Sequence, residues 1–299
     1  MTLNFSKVIL GTAQLGMPYG LGIWKSELMP EATAFSILDA AWNNGITTLD
    51  TSSNYGLAEE RIAKFMRLNP SKNFDLITKV KSQHSSSEQK LLCLDNWLEK
   101  SPLLRVASAG SLSMLLHNQN DIFSEIVTDA IQRCQMQGFF SSWGVSAYSQ
   151  KVAVKAAKTE NCQIIQLPFG ILNQSFHADG VLEILSNHKK TIHARSIFTQ
   201  GLLFAADFNT QPLSDESIEV IKVVSDFSAK KGLTLMQYAM SFALSFDTLN
   251  SVVVGVDTSQ QLEEIIGCLN RPSNHMEFGA LCEQIGQLSS EDVRPERWK

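Results

Sequence analysis

The chain has 299 residues, 44% of them hydrophobic, and a formal net charge of −5. That is enough apolar material for two ordinary domains or for one α/β barrel. The acidic balance, without any Lys/Arg-rich run, argues against nucleic acid as a partner, and no apolar run approaches the ~20 residues of a membrane-crossing helix.

The stretch Met1–Ser6 has no basic segment followed by an apolar one, so no secretory leader is expected. Val8–Leu10 reads as a strand that ends in Gly-Thr-Ala-Gln-Leu-Gly, residues 11–16. Two glycines just after a strand let backbone approach a ligand closely. Pro30–Asn44 predicts a helix, with Ala34, Ile37, Leu38 and Ala41 at helical spacing and Gly45 as its stop. Ile46–Asp50 is a strand that runs into the polar loop Thr51–Gly56, which carries Tyr55. A helix over Ala58–Leu68 precedes the strand Phe74–Val80, with Lys79 near its end. The helix Glu88–Glu99 leads to the strand Leu112–His117, and the helix Ile122–Gln137 to the strand Phe140–Ser146. Then follow the helix Lys151–Lys158, the strand Ile164–Leu167 with Gln166, the loop Phe169–Phe176 and the helix Val181–Asn187. The strand Thr191–Ile197 comes next, then helices over Asp215–Lys231 and Thr234–Phe246 separated by Gly232. Val252–Val254 is the last strand, ending at Gly255, and Ser259–Leu269 the last helix.

Eight short, mostly continuously apolar strands alternate with helices. Strands of that kind belong to a sheet buried on both faces, and eight β-then-α units imply one (β/α)8 TIM barrel. A short N-terminal hairpin and a short C-terminal tail complete an α/β domain spanning 1–299. A doubly wound open sheet also alternates, but no G-x-G-x-x-G follows the first strand. Cys93, Cys134, Cys162, Cys268 and Cys282 are scattered, odd in number and without C-x-x-C spacing. This fits a reduced cytoplasmic protein with neither a disulfide framework nor a metal site.

In a parallel barrel all C-terminal strand ends share one face. Asp50, Tyr55, Lys79 and His117 come from the ends of strands two, three and four, so they are expected at one mouth. A free tyrosine titrates near ~10. A neighbouring lysine favours its phenolate, a carboxylate holds the lysine, and a histidine orients a carbonyl or helps pass a proton. Such a set can protonate a carbonyl oxygen as hydride reaches its carbon.

Asp-Thr-Ser-Ser-Asn-Tyr-Gly at 50–56, Thr78-Lys79 and Leu115-Leu116-His117 resemble the tetrad motifs of the aldo-keto reductase family in identity and order. The resemblance runs from Leu10 to about Leu269. It implies hydride transfer between NADP(H) or NAD(H) and an aldehyde or ketone, with Tyr55 as general acid, Lys79 tuning it, Asp50 pairing with Lys79 and His117 orienting the carbonyl. It further implies that Gly11, Thr12, Ala13 and Asp50 line the nicotinamide ribose side and that Ser146 and Gln166 hold the carboxamide. Gly201 and Leu203 would lie beside the pyrophosphate, and Gly255, Asp257, Thr258, Gln261 and Glu264 at the adenosine end.

Some residues depart from the family pattern. Ala147 stands where many members have Asn, and Arg195-Ser196 where many have a stacking tyrosine. Arg195 would stack by its guanidinium or contact phosphate or substrate. Residues 255–261 lack a Lys or Arg to grip a 2′-phosphate, and Asp257 would repel one; Arg271 is the nearest compensating cation. Met17–Trp24, Phe169–Phe176 and Trp298 are expected to wall the substrate pocket, and Arg195 with the run Ser196–Gly201 resembles bacterial members linked to surface-sugar metabolism, which implies a polar, sugar-like carbonyl substrate. The expected partner is a small carbonyl substrate, without nucleic acid or membrane, and the expected state a monomer or weak homo-oligomer. A slow or inactive cofactor-sensing subunit is the alternative. A hydrolase or lyase using Asp50 and His117 would need a metal or a second placed carboxylate, and the sequence has no ligand cluster such as H-x-H or H-E-x-x-H.

Overall fold

The computed structural model describes residues 6–80, 86–108, 111–204 and 215–269, together with Phe278 and Leu281. In chain order the elements are β1 (Val8–Gly11), α1 (Ala13–Gly16), α2 (Glu31–Asn43), β2 (Thr48–Asp50), α3 (Ala58–Leu68), β3 (Asp75–Val80), α4 (Ser87–Lys100) and β4 (Leu112–Leu116). They continue with α5 (Glu125–Met136), β5 (Ser142–Ser146), α6 (Gln150–Lys158), β6 (Cys162–Pro168), α7 (Ser175–Ala178), α8 (Val181–Asn187), β7 (Thr191–Arg195), α9 (Asp215–Lys230), α10 (Leu235–Leu244), β8 (Ser251–Val254) and α11 (Ser259–Leu269). The strands pair in parallel in the order β1 to β8, and β8 closes onto β1. The fold is therefore the (β/α)8 barrel that the alternation predicts. The expected hairpin ahead of β1 falls largely outside the described residues, as do Arg271, Cys282 and Trp298. No described helix is long and apolar enough to cross a membrane.

Strand side chains alternate between faces, and that alternation positions the site. Ile9, Ile77, Leu115, Ile164 and Val253 form a small apolar cluster of their own. Their chain neighbours Leu10, Leu76, Met114, Ile165 and Val254 join the much larger cluster that includes the helix faces. The first set fills the barrel interior, and the second packs under the helices. Two residues further along these interior rows lie Gly11, Lys79, His117, Gln166 and Gly255. The same step carries Thr48 to Asp50, Gly144 to Ser146 and His193 to Arg195. One interior layer above the apolar floor is thus made almost wholly of the residues with chemistry.

The helices form where periodicity and caps agree. Ala34, Ile37, Leu38 and Ala41 of α2 are all buried. Gly45 ends that helix at φ +79, where a side chain would be strained, and the amide of Ile46 returns to Ala41 O at 2.9 Å. Thr234 and Gln237 make a reciprocal capping box at the start of α10. Differences from the predicted boundaries are small and have local causes. β2 and β5 begin two residues late, at Thr48 and Ser142, because strand pairing starts where the barrel neighbours begin. α1 and α7, of four residues each, are too short to show a helical period.

Candidate active site

A cavity of about 710 Å³ opens at the C-terminal ends of the strands. Asp50, Tyr55, Lys79 and His117 all line it. Lys79 is 1% exposed and Asp50 3%. The ammonium Nζ lies 2.5 Å from Asp50 Oδ1 and also donates to Thr51 O at 3.2 Å. The second carboxylate oxygen, Asp50 Oδ2, accepts from Gln166 Nε2 at 2.8 Å. Burial lowers the affinity of Lys79 for its proton, Arg195 lowers it further, and the contact with Asp50 opposes both.

Tyr55 follows a tight turn at the end of β2, with its amide bonded to Ser52 O at 2.9 Å. Gly16 and Gly56 cross beneath it. A Cβ on Gly16 would fall 1.9 Å from Tyr55 O, and Gly56 takes φ +53. Lys79 Nζ stands 5.2 Å from the Tyr55 ring centroid. The His117 ring meets the tyrosine edge-on at 6.3 Å and 85°. Ser52 Oγ, 3.1 Å from His117 Nδ1, fixes the imidazole plane. Sequence logic has Lys79 pulling the phenol pKa down. In the structure burial pushes it well above its ordinary value, the Asp50 charge adds to the rise, and only Arg195 pulls the other way. The ammonium is already answered by Asp50, so Tyr55 keeps its proton at neutral pH.

The remaining predicted residues divide into those on the wall and those off it. Gly11, Thr12, Ala13, Ser146, Arg195, Ser196, Gly201, Gly255, Asp257, Gln261 and Glu264 line the cavity. Gln166, Leu203 and Thr258 are not among the wall residues. Gln166 lies fully buried behind Asp50, Leu203 packs in the core, and Thr258 caps α11 by accepting the Gln261 amide at 3.2 Å. Phe169, expected in the wall, instead packs on Phe242 and Phe246 at 5.8 and 4.8 Å, whereas Asn173, Ser175 and Phe176 of its loop do reach the cavity.

Tyr19, within the segment Met17–Trp24 expected in the wall, and Tyr148, which the sequence did not single out, also line the cavity. Three of the chain's four tyrosines meet there. Tyr148 lies two residues beyond β5, so its strand-end position was the available signal. Tyr19 sits on a loop that straps across the mouth. Leu21 donates to Gln200 O at 3.0 Å after β7, Ile23 donates to Asp257 Oδ2 at 2.9 Å after β8, and Trp24 Nε1 donates to Asp257 O at 3.0 Å. Trp24 and the Asp257 carboxylate therefore hold this strap. A Cβ on Gly22 would sit 1.8 Å from Asp257 Oδ2. The β7 loop carries Ser196, Thr199 and Gln200 at positive φ (60, 47 and 55°), strain of the kind that gathers at binding sites.

The wall suits a long ligand with polar groups at both ends. Just behind the wall, Gln166 Oε1 is buried without a hydrogen-bond partner. Gly11, Gly20, Gly22 and Gly255 bring bare backbone to the cavity, and its volume lies in the range of cofactor pockets. No cluster of metal-binding side chains occurs among the described residues.

The model of the aldo/keto reductase family matches residues 7–285. The chain belongs to the aldo/keto reductase family. Among curated relatives it is 23% identical to L-glyceraldehyde 3-phosphate reductase of Escherichia coli, over 87% of this chain and 86% of that one. It is also 23% identical to D-threo-aldose 1-dehydrogenase of a Pseudomonas species, over 77% and 81%. Among solved structures it resembles an aldo-keto reductase from Bacillus halodurans in its holo form (TM-score 0.75, 17% identity, 99% and 96% covered). An aldo-keto reductase from Klebsiella pneumoniae in complex with NADPH gives TM-score 0.70 at 18% identity, with 99% and 95% covered.

Proposed function

We propose that the protein is an NAD(P)H-dependent reductase of aldehydes or ketones, with Tyr55 as the general acid. The observation that carries this reading is the convergence of Asp50, Tyr55, Lys79 and His117 from three neighbouring strand ends on one cavity. Tyr55 holds its proton until a carbonyl oxygen gains negative charge, and then donates it. Lys79, held by Asp50, stabilises the tyrosinate left behind. His117, fixed by Ser52, orients the carbonyl oxygen. A bound nicotinamide cofactor would supply the hydride. Gln166 and Ser146 are assigned to its carboxamide, the glycines at the strand ends to its ribose and phosphates, and Asp257, Gln261 and Glu264 to its adenosine end.

The names of the relatives support a sugar-like carbonyl substrate, and the NADPH in the Klebsiella structure supports the cofactor class. Among the described wall residues the adenosine end offers Asp257 and Glu264 and no cation, so NADH is tested beside NADPH. Fluorescence titration with each, followed by cofactor oxidation over a panel of aldehydes, should show binding of at least one and carbonyl-dependent turnover. Binding of neither refutes the reading. Tight binding with no turnover on any carbonyl would make the protein a cofactor-binding subunit instead.

A further inference from the structure

Arg195 ends β7 and lines the same cavity as Tyr55. Its guanidinium carbon lies 4.1 Å from the Tyr148 ring centroid, so the ring backs one face of the plane. Nη1 donates to Ser196 Oγ at 3.3 Å. Nε and Nη2 are buried and have no hydrogen-bond partner. No carboxylate pairs with Arg195 among the described residues. Lys79, the other cation of the wall, is neutralised by Asp50. A buried guanidinium edge with open donors is costly unless an acceptor arrives. A planar fork of N–H groups matches the two oxygens of a carboxylate or phosphate.

We propose that Arg195, backed by Tyr148, is the anion-binding element of the substrate pocket, and that the substrate is a small aldehyde or ketone carrying a carboxylate or phosphate near its carbonyl. This deepens the reductase reading and rests on it. Arg195 and its backing ring Tyr148 share one cavity wall with Tyr55, Lys79 and His117, so the anion it meets shares the cavity with the reacting carbonyl. At that end of the cavity the cofactor is assigned its uncharged carboxamide, which leaves the anion to the substrate.

The test compares kcat/KM for charged and neutral pairs at fixed low salt: glyceraldehyde 3-phosphate against glyceraldehyde, and succinic semialdehyde against butyraldehyde. At least one charged member should be preferred by ~10–100-fold, the worth of a charge-assisted hydrogen bond, and the pair that shows it tells phosphate from carboxylate. Arg195→Gln should collapse that ratio mainly through KM, and Arg195→Lys should restore part of it. A non-reacting dianion, malonate or phosphonoacetate, titrated calorimetrically into the cofactor-saturated protein should bind the wild type at least tenfold tighter than Arg195→Gln. Dianion binding by this route without any carbonyl turnover would refute the reductase reading and keep the anion site. Turnover of neutral aldehydes with no charge preference in the wild type would overturn the inference. So would a variant that loses NADPH affinity while keeping the charged-to-neutral ratio, because Arg195 would then serve the cofactor.

Discussion

Lys79→Met keeps the length of a buried side chain and removes its charge. Asp50, 3% exposed, would then hold a carboxylate answered by Gln166 Nε2 at 2.8 Å and by no cation. Breaking one half of a buried ion pair costs ~3–5 kcal/mol, whereas replacing both halves is often nearly neutral. Asp50 lines the cavity rather than the closed core, so a loss of about 2–4 kcal/mol is expected from the single change. Asp50→Asn with Lys79→Met should recover all but about 1 kcal/mol, because no buried charge remains. Urea denaturation at pH 7 measures both. Both variants should lose carbonyl reduction, which separates the pair's chemical role from its structural cost. A loss below about 1 kcal/mol for Lys79→Met, or a double variant no more stable than the single, would refute this account of the pair.

Gly16→Ala would drive a methyl to 1.9 Å from Tyr55 O and 2.3 Å from the Ala58 amide. It should cost about 1–3 kcal/mol as overpacking, seen as a lower urea midpoint, and reduce kcat by displacing Tyr55. His193, on the barrel interior below Arg195, has its pKa pushed down to about 3 by burial and then by the Lys79 charge. The unfolded chain takes up that proton near ~6.5 and the folded one refuses it. The stability that this histidine contributes is therefore present above that value and falls by up to ~1.4 kcal/mol per pH unit below it. His193→Gln should flatten the stability difference between pH 7.5 and 4.5, and an unchanged acid slope would show that the buried histidine is not its source.

Much of the barrel was legible in the sequence because its strands are buried on both faces and so read as continuous apolar runs. α3, α8 and α11 fall on their predicted residues because apolar periodicity and flanking polar segments agree there. The gathering of Asp50, Lys79 and His117 was legible because a parallel barrel puts strand ends together, and the step of two from Ile77 to Lys79 and from Leu115 to His117 fixes which face they share. Loop closure has no such period. Nothing in the order Tyr19–Trp24 announces that the loop crosses to Gln200 and Asp257, nor that Asp257 grips Ile23. The rise in the Tyr55 pKa was illegible for a related reason. Spacing shows that a lysine is near, but only the folded structure shows that its charge is committed to Asp50 and that the phenol is walled in.

The most direct test of the central claim is Tyr55→Phe, assayed for cofactor affinity and for carbonyl reduction on the same preparation. Removing the one hydroxyl leaves the ring packed between Lys79 and His117. The account predicts a cofactor Kd within about threefold of wild type and a kcat lower by ~10²–10⁴-fold, the usual contribution of a placed general acid. A variant that reduces aldehydes at the wild-type rate would contradict it.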